Sequence, residues 1–475
     1  MSRGSAMSGQ WHLATALALL LQPLVSSGCS TYREKPLSPE AVEQALAPPP
    51  PSDWQVRIAD LHHPRLAAIS IDPAGPFSPD QLAVLAVVIN PGLRARRAER
   101  ALAEAQVVQA GILPNPQLSL GTDLAVSSPA GDATRGSSLG LGWDFTSLIT
   151  RGAKRDAALA HVEQVALDIA WQEWLIAEGT KQAAFRVAGA QQRLALTQAL
   201  EQVLGAQQQV MSRAFALGMR TRLDEVAAAL AAADAHRQTL DAESEIETHR
   251  LALNRLLGLP PERAVAVQVV QWPTTIVWPP RLTEDIQHQR LDLLALRCGY
   301  ESQEASLRAA VLGQFPRISI NLARATDTSK VRTLTLGVAI ELPLFDRNQG
   351  VIASESATRE RLFDEYVERV FAARSDLAQA QAEAAAISRR IADADHTIAG
   401  LELHAQDVAR AETNHTVDVL TANGIASQVL LRRIDVLTLR QQLAEVRIAS
   451  ELAAGIGLAP LVSNGPGIPV PKERP

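Results

Sequence analysis

The sequence predicts a mainly α-helical protein built from a duplicated half-fold, in which each half also carries one β-hairpin. Two long stretches without proline, residues 131–259 and 344–459, are typical of extended helices, because proline interrupts helical hydrogen bonding. Each stretch follows two short segments in which apolar and polar side chains alternate, as they do in β-strands. The repetition of this order indicates that one unit occurs twice.

Matching segments of the two halves lie about 200 residues apart. The aligned positions are 90–93 with 290–293, Gly218 with Gly424, and Gly258 with Gly457. A period of this length indicates a duplicated half-fold, because solenoid repeats span only ~20–50 residues.

The N-terminus has the pattern of a secretory signal peptide, residues 1–28, with Arg3 ahead of an apolar run. Small residues directly before Cys29 resemble a bacterial lipobox, so we predict that Cys29 is acylated in the mature chain. The alternative is ordinary cleavage nearby, which would leave Cys29 as a thiol. Residues 29–76 are rich in proline and are predicted to form an irregular linker.

Two repeats follow the linker, residues 77–262 and 282–459, joined by 263–281 and followed by a tail, 460–475. The net charge is −6, with both signs spread along the chain. No basic stripe is present that could neutralise a phosphate backbone, so nucleic acid is not an expected partner. Aromatic residues make up only 4% of the chain and alanine is abundant, which favours long, closely packed helices.

Each repeat is predicted to begin with a short helix and a longer one. Ser78-Pro79 supplies an N-cap and a first-turn proline, and Asn90-Pro91 restarts a helix that we expect to reach Leu113. Pro114 and Pro116 then end it, because proline lacks the hydrogen-bond donor that a helix requires.

Four segments of alternating character are predicted to form two hairpins: 117–126, 138–145, 317–322 and 333–342. Strands of about ten residues, apolar on one face and small or polar on the other, fit a transmembrane β-strand whose polar face lines water. The residues predicted to face lipid are Leu118, Leu120, Leu139, Leu141, Trp143, Ile318, Ile320, Leu334, Leu336 and Val338.

Four strands cannot close a barrel, and an open sheet edge cannot lie in lipid because its backbone groups would be unsatisfied. If the strands span a membrane, several chains must contribute to one barrel, and three chains would supply twelve strands. The alternative is a soluble sheet packed on helices, which shows the same alternation.

The proline-free stretches show apolar residues at helical spacings of three and four. A helix of about 60 residues would be roughly 90 Å long. Gly218 and Gly424 are the predicted tips at which each helical rod turns back. The apolar stripes are too narrow for a self-sufficient globule, so partner chains are expected.

Over nearly its whole mature length, the chain resembles the TolC-like outer-membrane efflux proteins. The segments that carry the resemblance are INPGLRARRAERALAEAQVVQAGILPNPQLSLG (89–121), FALGMRTRLDEV (215–226), LRAAVLGQFPRISINL (307–322), LGVAIELPLFDRNQG (336–350) and ANGIASQVLLRRIDVL (422–437). Within the family, the Asn-Pro-x-Leu entry and the Leu-Phe-Asp-Arg-Asn-Gln turn look most like the branch associated with heavy-metal cation efflux. Arg290-Leu291-Asp292 departs from the family's usual Arg-Pro-Asp.

The resemblance implies a homotrimer in which a twelve-stranded outer-membrane barrel continues into a periplasmic α-helical tunnel. It implies an exit duct without catalytic chemistry or cofactor, working with an inner-membrane transporter and a periplasmic adaptor. Ducts of drug-efflux or type I secretion systems have the same architecture, so the exported solute stays open.

In the family, acidic residues six and nine positions after the tip glycine often form the tunnel constriction. Asp224 lies six after Gly218, whereas the second tip places Leu430 and Arg433 at the matching positions. Asp224 and Arg433 are therefore the predicted periplasmic gate, and the alternative for Asp224 is a solvated carboxylate at a helix start. Gly218 and Gly424 are likewise predicted to contact the adaptor, or else are plain turn glycines.

No motif for a nucleophile, a phosphate loop or a metal site is present in the sequence, so no enzyme activity is expected. His396, His404 and His415 lie on one predicted helix without the i,i+4 spacing of helical metal ligands. The alternative function, from another class of protein, is a lipid-tethered periplasmic coiled-coil scaffold whose hairpins form a docking sheet.

Overall fold

The computed structural model describes residues 31–124, 135–413 and 419–458. The predicted signal peptide, the acylation site Cys29 and the C-terminal tail lie outside these ranges. The chain divides into two compact units, residues 1–48 and 49–475. Within the described part of the first unit, helix α1 (Pro39–Leu46) begins where the Ser38 side chain accepts a hydrogen bond from the Ala41 amide.

The linker predicted to be irregular is helical in two places, so that expectation is wrong. Helix α2 (Pro51–Ala59) opens the second unit, and its Trp54 and Ile58 are buried. They pack in a core that also contains Phe77 and Leu82. Proline in the first turn favours a helix start, and the i,i+4 pair of apolar side chains gives this helix one face to bury. Residues 51–59 therefore belong to the fold.

The first repeat starts with helices α3 (Pro79–Ile89) and α4 (Pro91–Gly111). Ser78 and Gln81 form a reciprocal capping box at the start of α3. The Asn90 side chain accepts hydrogen bonds from the Gly92 and Leu93 amides, so it caps α4. Helix α4 ends at Gly111, two residues before the predicted end.

Four strands form one antiparallel sheet: β1 (Gln117–Asp123), β2 (Gly136–Asp144), β3 (Arg317–Thr326) and β4 (Arg332–Glu341). Their order in the sheet is β1, β2, β3, β4. The two predicted hairpins are confirmed, and the pairing of β2 with β3 joins them. Within the described residues, β1 and β4 are the edges.

Helix α5 (Thr146–Ala216) follows β2 and contains 71 residues, which corresponds to roughly 105 Å. After a short turn, helix α6 (Arg222–Leu257) runs back along it. The second repeat has the same order: α7 (Leu282–Gln289), α8 (Leu291–Leu312), the two strands, α9 (Gln349–Thr413) and α10 (Val419–Ala454). The predicted duplicated, mainly helical architecture is confirmed.

Helix α5 is the central element, because it packs against α3, α4, α6, α8 and α10. Many of its buried residues are alanines, including Ala177, Ala184 and Ala188. Small side chains allow the helices to approach closely, and Leu196 and Leu200 join them to a core shared with α6 and α10. Within the described ranges, no helix is both long enough and apolar enough to cross a bilayer.

A break separates α7 from α8 although the residue after Arg290 is leucine rather than proline. Arg290 has the extended backbone of an N-cap residue, with φ −72° and ψ 123°. Its guanidinium group binds the Asp292 carboxylate at 2.9 and 2.7 Å and donates to the Ala453 carbonyl at 3.2 Å. A buried, charge-assisted network therefore maintains the bend that proline would impose by geometry.

The glycine that ends each repeat's last helix is Gly258 in the first half and Gly455 in the second. Both adopt a left-handed conformation, with φ 67° and 71°. The alignment of Gly258 with Gly457 is thus wrong by two residues, because a left-handed glycine directly after the last helical turn marks the equivalent position.

Candidate functional site

The apolar residues of the four strands form rows across one face of the sheet. Leu118 lies opposite Leu141, Leu141 opposite Leu322, and Leu322 opposite Leu336. The side chain period of a strand is two, so all ten residues predicted to face lipid share this face with Leu322 and Ile340. Leu120, Leu334 and Leu336 are each about three-quarters exposed in the single chain. In the half of the sheet nearer the helices, this face carries only apolar side chains, and many of them are exposed in the described part of the chain.

The opposite face carries small and polar residues. One row consists of Ser119, Gly140, Ala323 and Thr335. A Cβ atom on Gly142 would lie 2.6 Å from Oδ1 of Asn321, so glycine leaves room for the neighbouring polar side chain. This face can line water.

Aromatic side chains lie at the helical end of the sheet. Trp143 donates its indole N–H to the Pro114 carbonyl at 2.7 Å and packs edge to face on Phe145, with ring centroids 4.6 Å apart. An indole with one apolar side and one satisfied polar atom suits a membrane interface.

The tip of the first repeat is a turn centred on Gly218, as predicted. Gly218 has φ 71°, and its amide and that of Met219 donate to the carbonyls of Phe215 and Ala214 at 2.9 Å. This is the hydrogen-bond pattern of a helix C-terminus closed by a left-handed glycine. Leu217 and Met219 are exposed at the tip, which leaves apolar surface available for a partner.

Asp224 belongs to the N-terminal capping box of α6. Its carboxylate accepts hydrogen bonds from the Thr221 hydroxyl at 2.8 Å and the Thr221 amide at 3.0 Å, and these bonds lower the pKa of Asp224. These bonds form a capping box with Thr221, and the carboxylate is also exposed at a helix start, as the alternative to the gate hypothesis had it. Glu225 instead pairs with Arg222 at 2.6 Å.

The second tip differs from its prediction. Gly424 lies inside α10, five residues after the start of that helix at Val419. The prediction that Gly424 is the turn is wrong, because a glycine is tolerated within a helix whose register is set by packing further along. That packing includes Leu430, which is buried against Leu196, Leu200 and Ala235 of the neighbouring helices and cannot line an aperture.

Arg433 faces α9. Its guanidinium group binds the Glu402 carboxylate at 2.7 and 3.0 Å, and the arginine side chain is 17% exposed. The two predicted gate residues thus have different local roles, Asp224 as a helix cap and Arg433 as a bridge between α9 and α10.

A buried charge cluster that sequence reasoning missed links α3, α5 and α10. Lys181 Nζ lies 2.8 Å from Glu178, 3.3 Å from Glu451 and 3.5 Å from Asp80. Burial raises the pKa of Glu178 to about 8, which Lys181 offsets only in part. Burial opposes the charge of Lys181 as well, but its three acidic neighbours raise the Lys181 pKa overall. Two charged residues at i,i+3 spacing among alanines were the signal available in the sequence.

Within the described ranges, no group of three or more His, Cys, Asp or Glu side chains is arranged to hold a metal ion. Cys298 is a free, partly buried thiol on α8, and burial raises its pKa.

The first repeat is similar in sequence to a known protein family. Residues 82–259 match the family model described as "Outer membrane efflux protein". The chain is 28% identical over 298 residues to the cobalt-zinc-cadmium resistance protein CzcC of Cupriavidus metallidurans, covering 62% of this chain and 69% of CzcC.

Solved structures show the same fold. The outer membrane protein VceC of Vibrio cholerae aligns with a TM-score of 0.64 and 19% identity, covering 80% of this chain and 96% of VceC. The open state of the Neisseria gonorrhoeae outer membrane channel MtrE aligns with a TM-score of 0.63 and 17% identity, covering 80% and 89% of the two chains.

Proposed function

We infer that this chain, which belongs to the outer membrane efflux protein family, is the outer-membrane channel of a tripartite efflux pump. It acts as a homotrimer, together with a periplasmic adaptor and an inner-membrane transporter. The observation that carries this function is the four-stranded sheet, which has one apolar face, one water-compatible face and two open edges.

The open edges require association in a membrane. Each edge strand would expose unpaired N–H and C=O groups, which cost several kcal/mol each in hydrocarbon. Pairing β4 of one copy with β1 of the next removes every edge when the ring closes. Three copies of four strands make a barrel of twelve, a size found among outer-membrane barrels.

The long helices extend the duct away from the barrel. All four connections between strands and helices leave the same end of the sheet, so the helices project to one side of the membrane. With the helices in the periplasm, the tip at residues 217–221 points toward the inner membrane. The exposed Leu217 and Met219 are the surface that we propose for the adaptor.

We propose divalent heavy-metal cations as the exported solute. CzcC is named for resistance to cobalt, zinc and cadmium, and the water-facing side of the sheet is acidic in balance. Its charged residues are Asp123, Asp144, Glu341 and Arg317. An acidic lining favours cations through the local field. A drug or a secreted peptide is the alternative cargo.

Gene deletion in the source bacterium tests the function and the cargo together. Loss of the chain should lower the tolerated concentrations of cobalt, zinc and cadmium, and the wild-type gene should restore them. If tolerance to antibiotics falls while metal tolerance is unchanged, the channel function stands and the cargo is a drug. If neither changes and the protein migrates identically with and without heating in detergent gels, the periplasmic scaffold is the better function.

The N-terminal anchor is a separate proposal. Acylation of Cys29 would hold the start of the chain at the inner leaflet of the outer membrane. A Cys29→Ser variant should lose labelling by a palmitate analogue and stay in the membrane fraction, because the barrel holds it there. A scaffold without a barrel would become soluble.

A further inference from the structure

The apolar face of the sheet contains two charged residues, Arg324 on β3 and Arg332 on β4. The other residues of that face in the four described strands are Leu118, Leu120, Thr122, Ser137, Leu139, Leu141, Trp143, Ile318, Ile320, Leu322, Thr326, Leu334, Leu336, Val338 and Ile340. Both arginines lie toward the end of the sheet that is remote from the helices. The charges are therefore concentrated at one rim of an otherwise uncharged surface.

The register places the two guanidinium groups near each other. Arg324 lies opposite Leu334, and Arg332 is two residues before Leu334 on the same strand. Such diagonal neighbours have Cα atoms about 7–8 Å apart. Lys330 lies in the turn between β3 and β4, with φ 66°, and adds a third positive charge at this rim.

Neither guanidinium group makes a hydrogen bond or an ion pair in the part of the chain that the structure describes. The nearby Asp327 carboxylate is engaged by the turn itself, since it accepts hydrogen bonds from the Ser329 and Val331 amides at 2.8 and 2.9 Å. In a neighbouring copy, the described residues of β1 would bring no charge to this face of the rim. The described β1 residues that would face the same way beside β4 are Leu118, Leu120 and Thr122, which are uncharged.

We propose that Arg324 and Arg332, with Lys330, bind the phosphate groups of a phosphorylated lipid in the outer leaflet of the outer membrane. The inference rests on the proposed function, because that function places the rim remote from the helices at the outer leaflet. Arginine forms paired hydrogen bonds with phosphate oxygens and can reach the headgroup level from a position at the edge of the hydrocarbon.

The neighbouring residues suit the rest of such a lipid. Leu139 and Leu334 flank Arg324 on the adjacent strands, and Leu120 continues the same row. Acyl chains would pack on this row and on the rows nearer the helices, while the phosphates bind at the rim. One surface therefore offers both an apolar contact and a phosphate contact in the order in which a lipid presents them.

Binding can be measured on the detergent-purified trimer by native mass spectrometry with diphosphorylated lipid A as the probe. The paired substitution Arg324→Gln and Arg332→Gln should weaken retention of this lipid at least tenfold. The matched control is Arg317→Gln, which removes an arginine from the opposite face at the helical end and should bind like the wild type. Enzymatically dephosphorylated lipid A should bind the wild type and the paired variant equally weakly.

Three results would overturn the proposal. The first is full retention of the phosphorylated lipid by the paired variant. The second is an equal loss of the dephosphorylated lipid in that variant relative to the wild type. The third is displacement of the lipid from the wild type by millimolar inorganic phosphate, which would indicate a free-anion site. Single-channel conductance of the same trimers in planar bilayers separates this failure from that of the channel itself. Conducting trimers without phosphate-dependent lipid binding would refute the lipid site alone.

Discussion

A Cβ atom placed on Gly455 would lie 2.7 Å from the Cα atom of Arg290, so the end of α10 touches the backbone between α7 and α8. The first repeat has the same contact, where a Cβ atom on Gly258 would overlap the ring of Pro91, the first residue of α4. In each half, the left-handed glycine after the last helix therefore packs against the bend at which α4 or α8 starts.

Alanine at either contact should destabilise the protein. A side chain at positive φ costs about 1–2 kcal/mol, and the overlap with Arg290 or Pro91 adds to this cost. Thermal unfolding of purified trimers, followed by circular dichroism, should show a lower midpoint for Gly455→Ala and Gly258→Ala. The control is Gly424→Ala, which should be neutral or stabilising because Gly424 is helical and an added Cβ atom would have no neighbour within 4 Å. A large loss in Gly424→Ala would mean that this glycine forms the turn after all.

Two adjacent residues of β4 test the orientation of the sheet. Leu336 lies on the apolar face and Thr335 on the polar face. Leu336→Arg should cost ~2–4 kcal/mol if the position is near the middle of the bilayer, whereas Thr335→Arg faces water and should be tolerated. The measurement is the fraction of heat-modifiable trimer in outer-membrane extracts. The reverse ranking of the two variants would assign the faces the other way round.

The gate hypothesis for Asp224 can be separated from its capping role. Asp224→Asn removes the charge but keeps an acceptor for the Thr221 amide, while Thr221→Ala removes the hydroxyl partner and keeps the charge. If the carboxylates ring the aperture, Asp224→Asn should weaken block by multivalent cations in planar bilayers, and Thr221→Ala should not. The difference should fade with salt, since screening acts over ~10 Å at 0.1 M. Equal cation block in all three proteins would leave Asp224 as a cap only.

If both tips line the same aperture, substitution of Arg433 should change the conductance in the opposite sense to substitution of Asp224. Its charge is balanced by Glu402, so we expect Arg433→Gln to have a smaller effect on cation block than Asp224→Asn. Glu402→Gln is the matched control, because it releases the same ion pair from the other side. An effect of Arg433→Gln as large as that of Asp224→Asn would show that the guanidinium faces the aperture in the trimer.

The buried carboxyl of Glu178 should make stability depend on pH. Its pKa in the folded chain is about 8, above the ordinary value of 4.5, so folding favours the protonated form. That contribution is complete below pH 4.5 and is lost as the pH rises through 8. Glu178→Gln should therefore show a smaller fall in thermal midpoint between pH 5 and pH 8.5 than the wild type. Glu99→Gln, an exposed control on α4, should follow the wild type. Parallel curves for all three proteins would contradict a buried, neutral Glu178.

Local chemistry made much of the fold predictable. Caps such as Ser78 and Asn90 act within a few residues, and the alternation that identifies Leu334 and Leu336 is a property of the strand itself. Predictions failed where two signals competed. Asn423-Gly424 resembles a turn, but burial of Leu430 against α5 and α6 favours a helix there.

The sequence by itself determined the duplication, the helices and strands, the two hairpins and the apolar face of the sheet, because periodicity and capping operate over short distances. Only the tertiary structure decided that β2 pairs with β3, that Arg290 holds a bend through Asp292 and Ala453, and that Lys181 binds Glu451 across a separation of 270 residues. Contacts between residues so far apart depend on how the long helices pack. No local pattern encodes the position at which one buried charge meets another.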